Sequence, residues 1–319
     1  MFIDKLIESV KLKDNPTVAG LDPKMEYIPK FILNKAYTEH GYTLKGCAEA
    51  IIEYNKGLIE AIFDVVPAVK PQLAYYEMYG VEGIRAFYET CKYAAEKGLV
   101  IIADAKRNDI GTTSEAYSKA FLGRTQICGE DNKVFDRAFE ADALTVNPYF
   151  GDDGIIPFLN DCRTEGKGIF VLVKTSNKSS GQIQDLETIT GSNGDKKHIY
   201  EIVAQMVNNW GSDLIGKYGY SNVGAVVGAT YPQQAELLRK IMPQAYILVP
   251  GYGAQGGTAK DAARNFNSDG LGAIVNASRS IMCAYKSDNW KNNFDESQYA
   301  QAAKAECLRM KDDLNSALK

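Results

Sequence analysis

Residues 104–109 read Asp-Ala-Lys-Arg-Asn-Asp and follow directly on the apolar run Leu99-Val100-Ile101-Ile102-Ala103. In an extended segment residues two apart point the same way. Asp104 and Lys106 are therefore expected to project together from one strand face, with Asp109 beyond them in the following loop. A lysine held between carboxylates is kept protonated by their charge. Such an ammonium can stabilise negative charge developing on a substrate and then deliver a proton to it. The plainer alternative is a surface ion pair at a strand end, because structural ion pairs also perturb acidities. Histidine has little to offer: the chain has two, His40 and His198, both in polar stretches that read as loops. Acid–base work falls to lysine and carboxylates.

A second cluster suits an anion. The turn Pro250-Gly251-Tyr252-Gly253-Ala254-Gln255-Gly256-Gly257 can bring backbone N–H groups close to a ligand, because glycine has no Cβ to block the approach. Arg279, further along, adds a planar bidentate donor. A helix starting there would add its N-terminal dipole. A phosphorylated substrate is the natural inference.

The elements that must position these groups recur along the chain. Short Val/Ile/Ala-rich runs occupy Thr17–Leu21, Ala68–Leu73, Leu99–Ala103, Ala143–Val146, Gly168–Val173, Val223–Val227, Tyr246–Val249 and Leu271–Val275. Between them lie helical periodicities such as Ile51, Tyr54, Leu58, Ile59 and Ile62, or Ile202, Val203, Met206, Val207 and Trp210. Strand and helix in alternation imply a parallel sheet, and eight repeats predict a (β/α)8 TIM barrel with insertions, a doubly wound sheet being the runner-up. No linker or charge block divides the chain, so residues 1–319 are expected to form a single domain. Residues 34–45 and 177–197 are expected to be loop insertions.

A barrel draws its catalytic groups from the C-terminal ends of its strands. The second run contains Lys70-Pro71, and the others end in or lead into Asp22-Pro23, Asp104-Ala105-Lys106, Asn147-Pro148, Lys174-Thr175-Ser176, the Gly-rich turn and Asn276-Ala277-Ser278-Arg279. Polar residues at so many separate strand ends weigh heavily against a lone surface ion pair.

Composition excludes several classes. The chain has 319 residues, 45% hydrophobic and 24% charged, with a net charge of −4. It lacks the clustered basic face that nucleic acid requires, and it has no apolar run of the roughly 18 residues needed to span a membrane. The N-terminus carries charges throughout, unlike a signal peptide, and a cytoplasmic protein is expected. Six scattered cysteines without a C-x-x-C pair suggest neither a zinc site nor a disulfide framework, and are expected to be buried apolar residues.

The motifs, their order and their spacing resemble the orotidine 5′-phosphate decarboxylase family over nearly the whole chain, in its longer bacterial type. The strongest match is Asp104-Ala105-Lys106-Arg107-Asn108-Asp109-Ile110-Gly111-Thr112-Thr113. Leu21-Asp22-Pro23, Val69-Lys70-Pro71-Gln72, Thr145-Val146-Asn147-Pro148-Tyr149, Val173-Lys174-Thr175-Ser176-Asn177, the 250–257 turn and Ser278-Arg279-Ser280 support it. The resemblance implies a cofactor-free, metal-free conversion of orotidine monophosphate to UMP and CO2 in pyrimidine biosynthesis, carried out by a homodimer with shared active sites. Lys106 would be the proton donor, Lys70 and Asp104 its charged surroundings, and Asp109 a visitor to the neighbouring subunit's site. Asp22 and Thr113 would contact ribose hydroxyls, Thr113 across the dimer interface. Ser176 would meet the pyrimidine, Gln255 would bridge base and phosphate, and Arg279 would hold the phosphate. The sequence departs from the family pattern at Ser278, where Gly is usual, and at Lys178, where Pro is common.

The alternatives are a metal-dependent phosphosugar lyase or synthase of the same superfamily and a non-catalytic nucleotide-binding barrel. The first would need an acidic group at the strand 2 end, where Lys70 stands and would repel Mg²⁺. A Schiff-base aldolase is disfavoured because its lysine must be a neutral amine.

Overall fold

The computed structural model describes residues 1–128, 134–190, 194–253 and 256–319. Its centre is a closed parallel barrel of eight strands. These are β1 (Thr17–Leu21), β2 (Ala68–Pro71), β3 (Val100–Arg107), β4 (Ala143–Val146), β5 (Gly168–Lys174), β6 (Ser221–Val227), β7 (Ala245–Val249) and β8 (Ala273–Ala277). Each strand pairs with the next. The ring closes where β8 returns to β1, with Thr17 opposite Val275 and Ala19 opposite Ala277. That last pairing separates the barrel from a doubly wound sheet, which would leave both edges open.

The strands read as continuous apolar runs because both faces are covered. Inward residues Val18, Ala68, Val100, Ile102, Ala143, Phe170, Tyr246, Leu248 and Ile274 fill the barrel interior. Their outward neighbours, such as Ala19, Val69, Ile101, Ala103 and Leu144, join the larger core beneath the helices. An N-terminal helix, Phe2–Lys13, plugs the bottom with Phe2, Ile3, Leu6, Ile7 and Val10. It is held there by Ile3 N donating to Asn222 Oδ1 (3.0 Å) and by an edge-on Phe2–Phe170 contact. Among the described residues no helix is long and apolar enough to cross a membrane.

Several expectations need correction. Residues 34–45 are mostly helical, with a helix over Lys30–His40 and another beginning at Leu44 after a Thr43 cap that accepts Gly46 N. The first helix buries only Ile32 and Ala36, so its apolar stripe is too thin to stand out against its polar residues. Residues 177–197 hold a helical turn, Gly181–Gln184, and the start of an antiparallel hairpin, Glu187–Thr190 with Asp195–His198. No face of that hairpin is fully buried, which removes the alternation that would announce it. His40 ends a helix, and His198 heads the helix Ile199–Trp210. Cys91, Cys162, Cys283 and Cys307 are buried as expected, whereas Cys47 is half-buried and Cys128 exposed.

Candidate active site

The barrel's period-two alternation carries directly into its mouth. Two residues beyond the inward Ala68, Ile102, Ala143 and Ile274 stand Lys70, Asp104, Thr145 and Asn276, and all four line a cavity of about 660 Å³. Asp22, one residue past the end of β1, joins them.

Asp104 is the hub. Its Oδ2 accepts from Lys70 Nζ (2.7 Å) and Gln72 Nε2 (3.0 Å). Its Oδ1 accepts from Lys106 Nζ (2.6 Å) and Thr145 Oγ1 (2.9 Å). Burial alone would raise the pKa of this carboxyl, but the ammonium groups of Lys70 and Lys106 outweigh it and hold the group well below the usual carboxylate range. For Lys70, burial works to lower the value, and Asp104 and Asp22 reverse it, so the net shift is upward. The two lysines differ in access. The Lys70 side chain is 5% exposed and that of Lys106 45%, so Lys106 is the one placed to reach a ligand.

Asp104 and Lys106 do meet, but not by regular strand geometry. Ala103 pairs with Leu144 while Arg107 pairs with Val146, so β3 carries two more residues than β4 between those pairs. Lys106 takes up the distortion with a left-handed φ of 49°. Such a backbone costs about 1–2 kcal/mol for a residue with a Cβ, and it persists only where surrounding contacts enforce it. Thr145 supplies one such contact, its Oγ1 accepting from Lys106 N (2.9 Å) while donating to Asp104.

Asp22 Oδ1 lies 4.0 Å from Lys70 Nζ, too far for a hydrogen bond, and is buried without a partner. Asn276 Oδ1 is in the same state on the opposite side of β1. Buried acceptors left open in a cavity wall are suited to hydroxyl or N–H donors of a ligand. Ser176 and Arg279 also line the cavity, and Arg279 has no ion-pair partner among the described residues. Gly251 begins the turn after β7 with φ 96°, and a Cβ on Gly257 would come within 2.8 Å of the Gly251 carbonyl. This turn therefore requires glycine. The helix after β8, Arg279–Met282, is a single turn, so the anticipated dipole contribution is small and the Arg279 side chain is the main cation at this end. Ser278 is accommodated because it sits over Gly20, where a Cβ would come within 2.0 Å of its Oγ.

Asp109 and Thr113 lie outside this cavity. Asp109 Oδ1 accepts from Ile110 N, and Thr113 is exposed on the helix Gly111–Phe121. Gln255 falls outside the described residues. Sequence reasoning assigned no role to Gln72, Thr145 or Asn276. The inward alternation of β4 and β8 was the signal for the last two.

The sequence matches the family model described as orotidine 5′-phosphate decarboxylase / HUMPS family over residues 20–289. The chain belongs to this family. Among curated relatives, the orotidine 5′-phosphate decarboxylase of Caldicellulosiruptor saccharolyticus is 40% identical over 317 residues, covering 99% of both chains. The solved structure of Leishmania donovani OMP decarboxylase superposes with a TM-score of 0.72 at 28% identity, over 99% of this chain and 98% of that one. Leishmania donovani UMP synthase matches with a TM-score of 0.70 at 31% identity, and this chain spans 56% of its length. Within the orotidine 5′-phosphate decarboxylase / HUMPS family, Lys70 is the informative position: its ammonium stands between Asp104 and Asp22, where its charge would repel a divalent cation.

Proposed function

We propose that this chain is an orotidine 5′-phosphate decarboxylase that releases CO2 from orotidine monophosphate to give UMP, with Lys106 as the proton donor. The observation that carries the reading is the Lys70–Asp104–Lys106 chain of charge, with both ammonium groups within 2.7 Å of one buried carboxylate at the cavity floor. Breaking the C6–carboxylate bond leaves its electron pair at C6, in the plane of the ring, where no adjacent π system delocalises it. Stabilisation must be electrostatic and already in place. The Lys106 ammonium faces that pair, donates its proton to C6 and is reprotonated from solvent after CO2 departs. Asp104 orients Lys106 and is itself fixed by Lys70, Gln72 and Thr145.

At the far end, Arg279 and the turn after β7 would hold the phosphate, Asp22 a ribose hydroxyl and Ser176 the base. Binding energy gathered there can be used to organise the reacting end. Asp109 and Thr113 would complete a second subunit's site. An exposed apolar surface supports a homodimer: Ile110, Tyr149, Phe150 and Ile156 are each at least 45% exposed, Ile110 and Phe150 lie next to Asp109, and Ile156 lies by Ile110. A cytoplasmic setting belongs to the same reading, supported by the scattered thiols.

Purified protein mixed with orotidine monophosphate is expected to convert it to UMP, followed by the ultraviolet change, with activity unaffected by EDTA. Full and reversible loss on chelation would favour the metal-dependent phosphosugar chemistry instead. Binding of UMP without turnover would favour a non-catalytic nucleotide-binding barrel.

A further inference from the structure

Strand β5 carries one residue more than β6 at its mouth end: Val226 pairs with Leu172, but Val227 pairs with Lys174. The extra residue, Val173, packs outward into the core beneath the helices. A bulge of this kind re-aims the side chain that follows it, and Lys174 does not reach the cavity that alternation would have given it. It is fully buried behind the cavity wall. Its Nζ lies 2.6 Å from Asp185 Oδ1 and 3.2 Å from Ser180 Oγ, and 4.3 Å from the centre of the Tyr231 ring.

These partners bracket the segment that leaves β5. Ser180 and Asp185 lie within it, and Tyr231 precedes the helix Pro232–Ile241 beyond β6. Ser180 Oγ donates to Tyr231 Oη (3.2 Å), and Tyr231 Oη donates to the Asn177 carbonyl (3.3 Å). Gln184 ties the far end of the segment back to its start, accepting from Thr175 N (3.0 Å) and donating to Thr175 Oγ1 (2.8 Å). Thr175, Ser176, Asn177 and Gln184 are all cavity-lining residues. An apolar side chain would fill the Lys174 site at lower desolvation cost. What the ammonium adds is direction, because its partners fix where the segment starts and where it turns.

We propose that Lys174 is a positioning residue that sets the Ser176–Asn177 wall against the base of the bound nucleotide, and so determines base affinity without touching substrate. This rests on the assignment of the cavity to orotidine monophosphate. Asp185 is 41% exposed and can be varied with little disturbance of packing.

The test compares the wild type with Lys174→Met, Asp185→Asn and Asp185→Glu. It measures kcat and KM for orotidine monophosphate, and affinities for UMP and for ribose 5-phosphate, which lacks the base. Lys174→Met and Asp185→Asn are expected to weaken UMP binding and raise KM about 10-fold, roughly 1.4 kcal/mol. Ribose 5-phosphate affinity should be unchanged, and Asp185→Glu should retain most of the wild-type UMP affinity. If Lys174→Met does not fold, the two Asp185 variants carry the same comparison. Wild-type UMP affinity in the folded variants overturns the proposal, as does equal weakening of UMP and ribose 5-phosphate, which would mean general loosening. A wild-type protein that binds UMP but turns over no orotidine monophosphate would instead refute the decarboxylase assignment, and the UMP comparison would still decide the role of Lys174.

Discussion

At the scale of single residues, Asp104 accepts four side-chain hydrogen bonds at once and so ties the charged groups of the cavity together. Removing the proposed proton donor, Lys106→Ala, is expected to lower kcat at least about 10³-fold, in the range of lost acid catalysis and charge stabilisation. UMP binding should change far less. The pH dependence follows from the carboxylate. Its ordinary value is 3.8, and the folded value is lower despite burial because Lys70 and Lys106 prevail. Its contribution to stability is complete above the ordinary value and is lost as pH falls through the lowered one. Lys70 is the mirror case: its contribution is complete below 10.5 and is lost as pH rises through its raised value. Denaturation monitored across pH should show the advantage of the wild type over Asp104→Asn shrinking only below about pH 4. An advantage already shrinking between pH 6 and 5 would contradict the ion-pair assignment, on the usual carboxylate range. The contact between Asp104 and Lys106 was legible in the sequence because both lie in one hexapeptide. The bonds of Gln72 and Thr145 to Asp104 were not: alternation marks Thr145 as inward, but what it meets depends on the lateral register of β2, β3 and β4.

At the scale of elements, two strand irregularities shape the site. In β3 the surplus over β4 puts Lys106 at φ 49°, and in β5 the extra Val173 turns Lys174 away from the cavity. Neither leaves a local mark, since a bulge is a relation between two strands and not a property of one. The eight strands themselves were readable, because burial on both faces demands unbroken apolar runs. The hairpin after β5 was not, because it buries no face fully. Thr145→Val keeps the shape but leaves Lys106 N and Asp104 Oδ1 each short of one partner. We expect a fall in kcat of about 10-fold or more with KM little changed, since the defect falls on the placement of the proposed proton donor. The N-terminal helix gives the opposite pattern. Leu6→Ala in the barrel floor should destabilise by about 2–5 kcal/mol in denaturant titration while KM stays unchanged.

At the scale of the whole molecule, one chain gathers Asp22, Lys70, Asp104, Lys106, Ser176 and Arg279 around a single cavity and leaves Asp109 and Thr113 outside it. Shared sites in the proposed homodimer would reconcile that division with the family resemblance. Lys106→Ala and Asp109→Ala proteins, each inactive alone, should regain activity on mixing as subunits exchange, because one of the two sites in a mixed dimer would be intact. Heterodimers of demonstrated composition that remain inactive would count against sharing. The barrel order was legible from the recurrence of strands, whereas the proposed dimer face was not, because an exposed Phe150 looks like any apolar residue until the fold brings it next to Asp109. Turnover of orotidine monophosphate by the wild type and by Lys106→Ala, both in EDTA, tests the decarboxylase assignment most directly. The wild type is expected to form UMP at full rate and the variant at least about 10³-fold more slowly; no UMP from a folded wild type, or undiminished turnover by Lys106→Ala, would contradict the assignment.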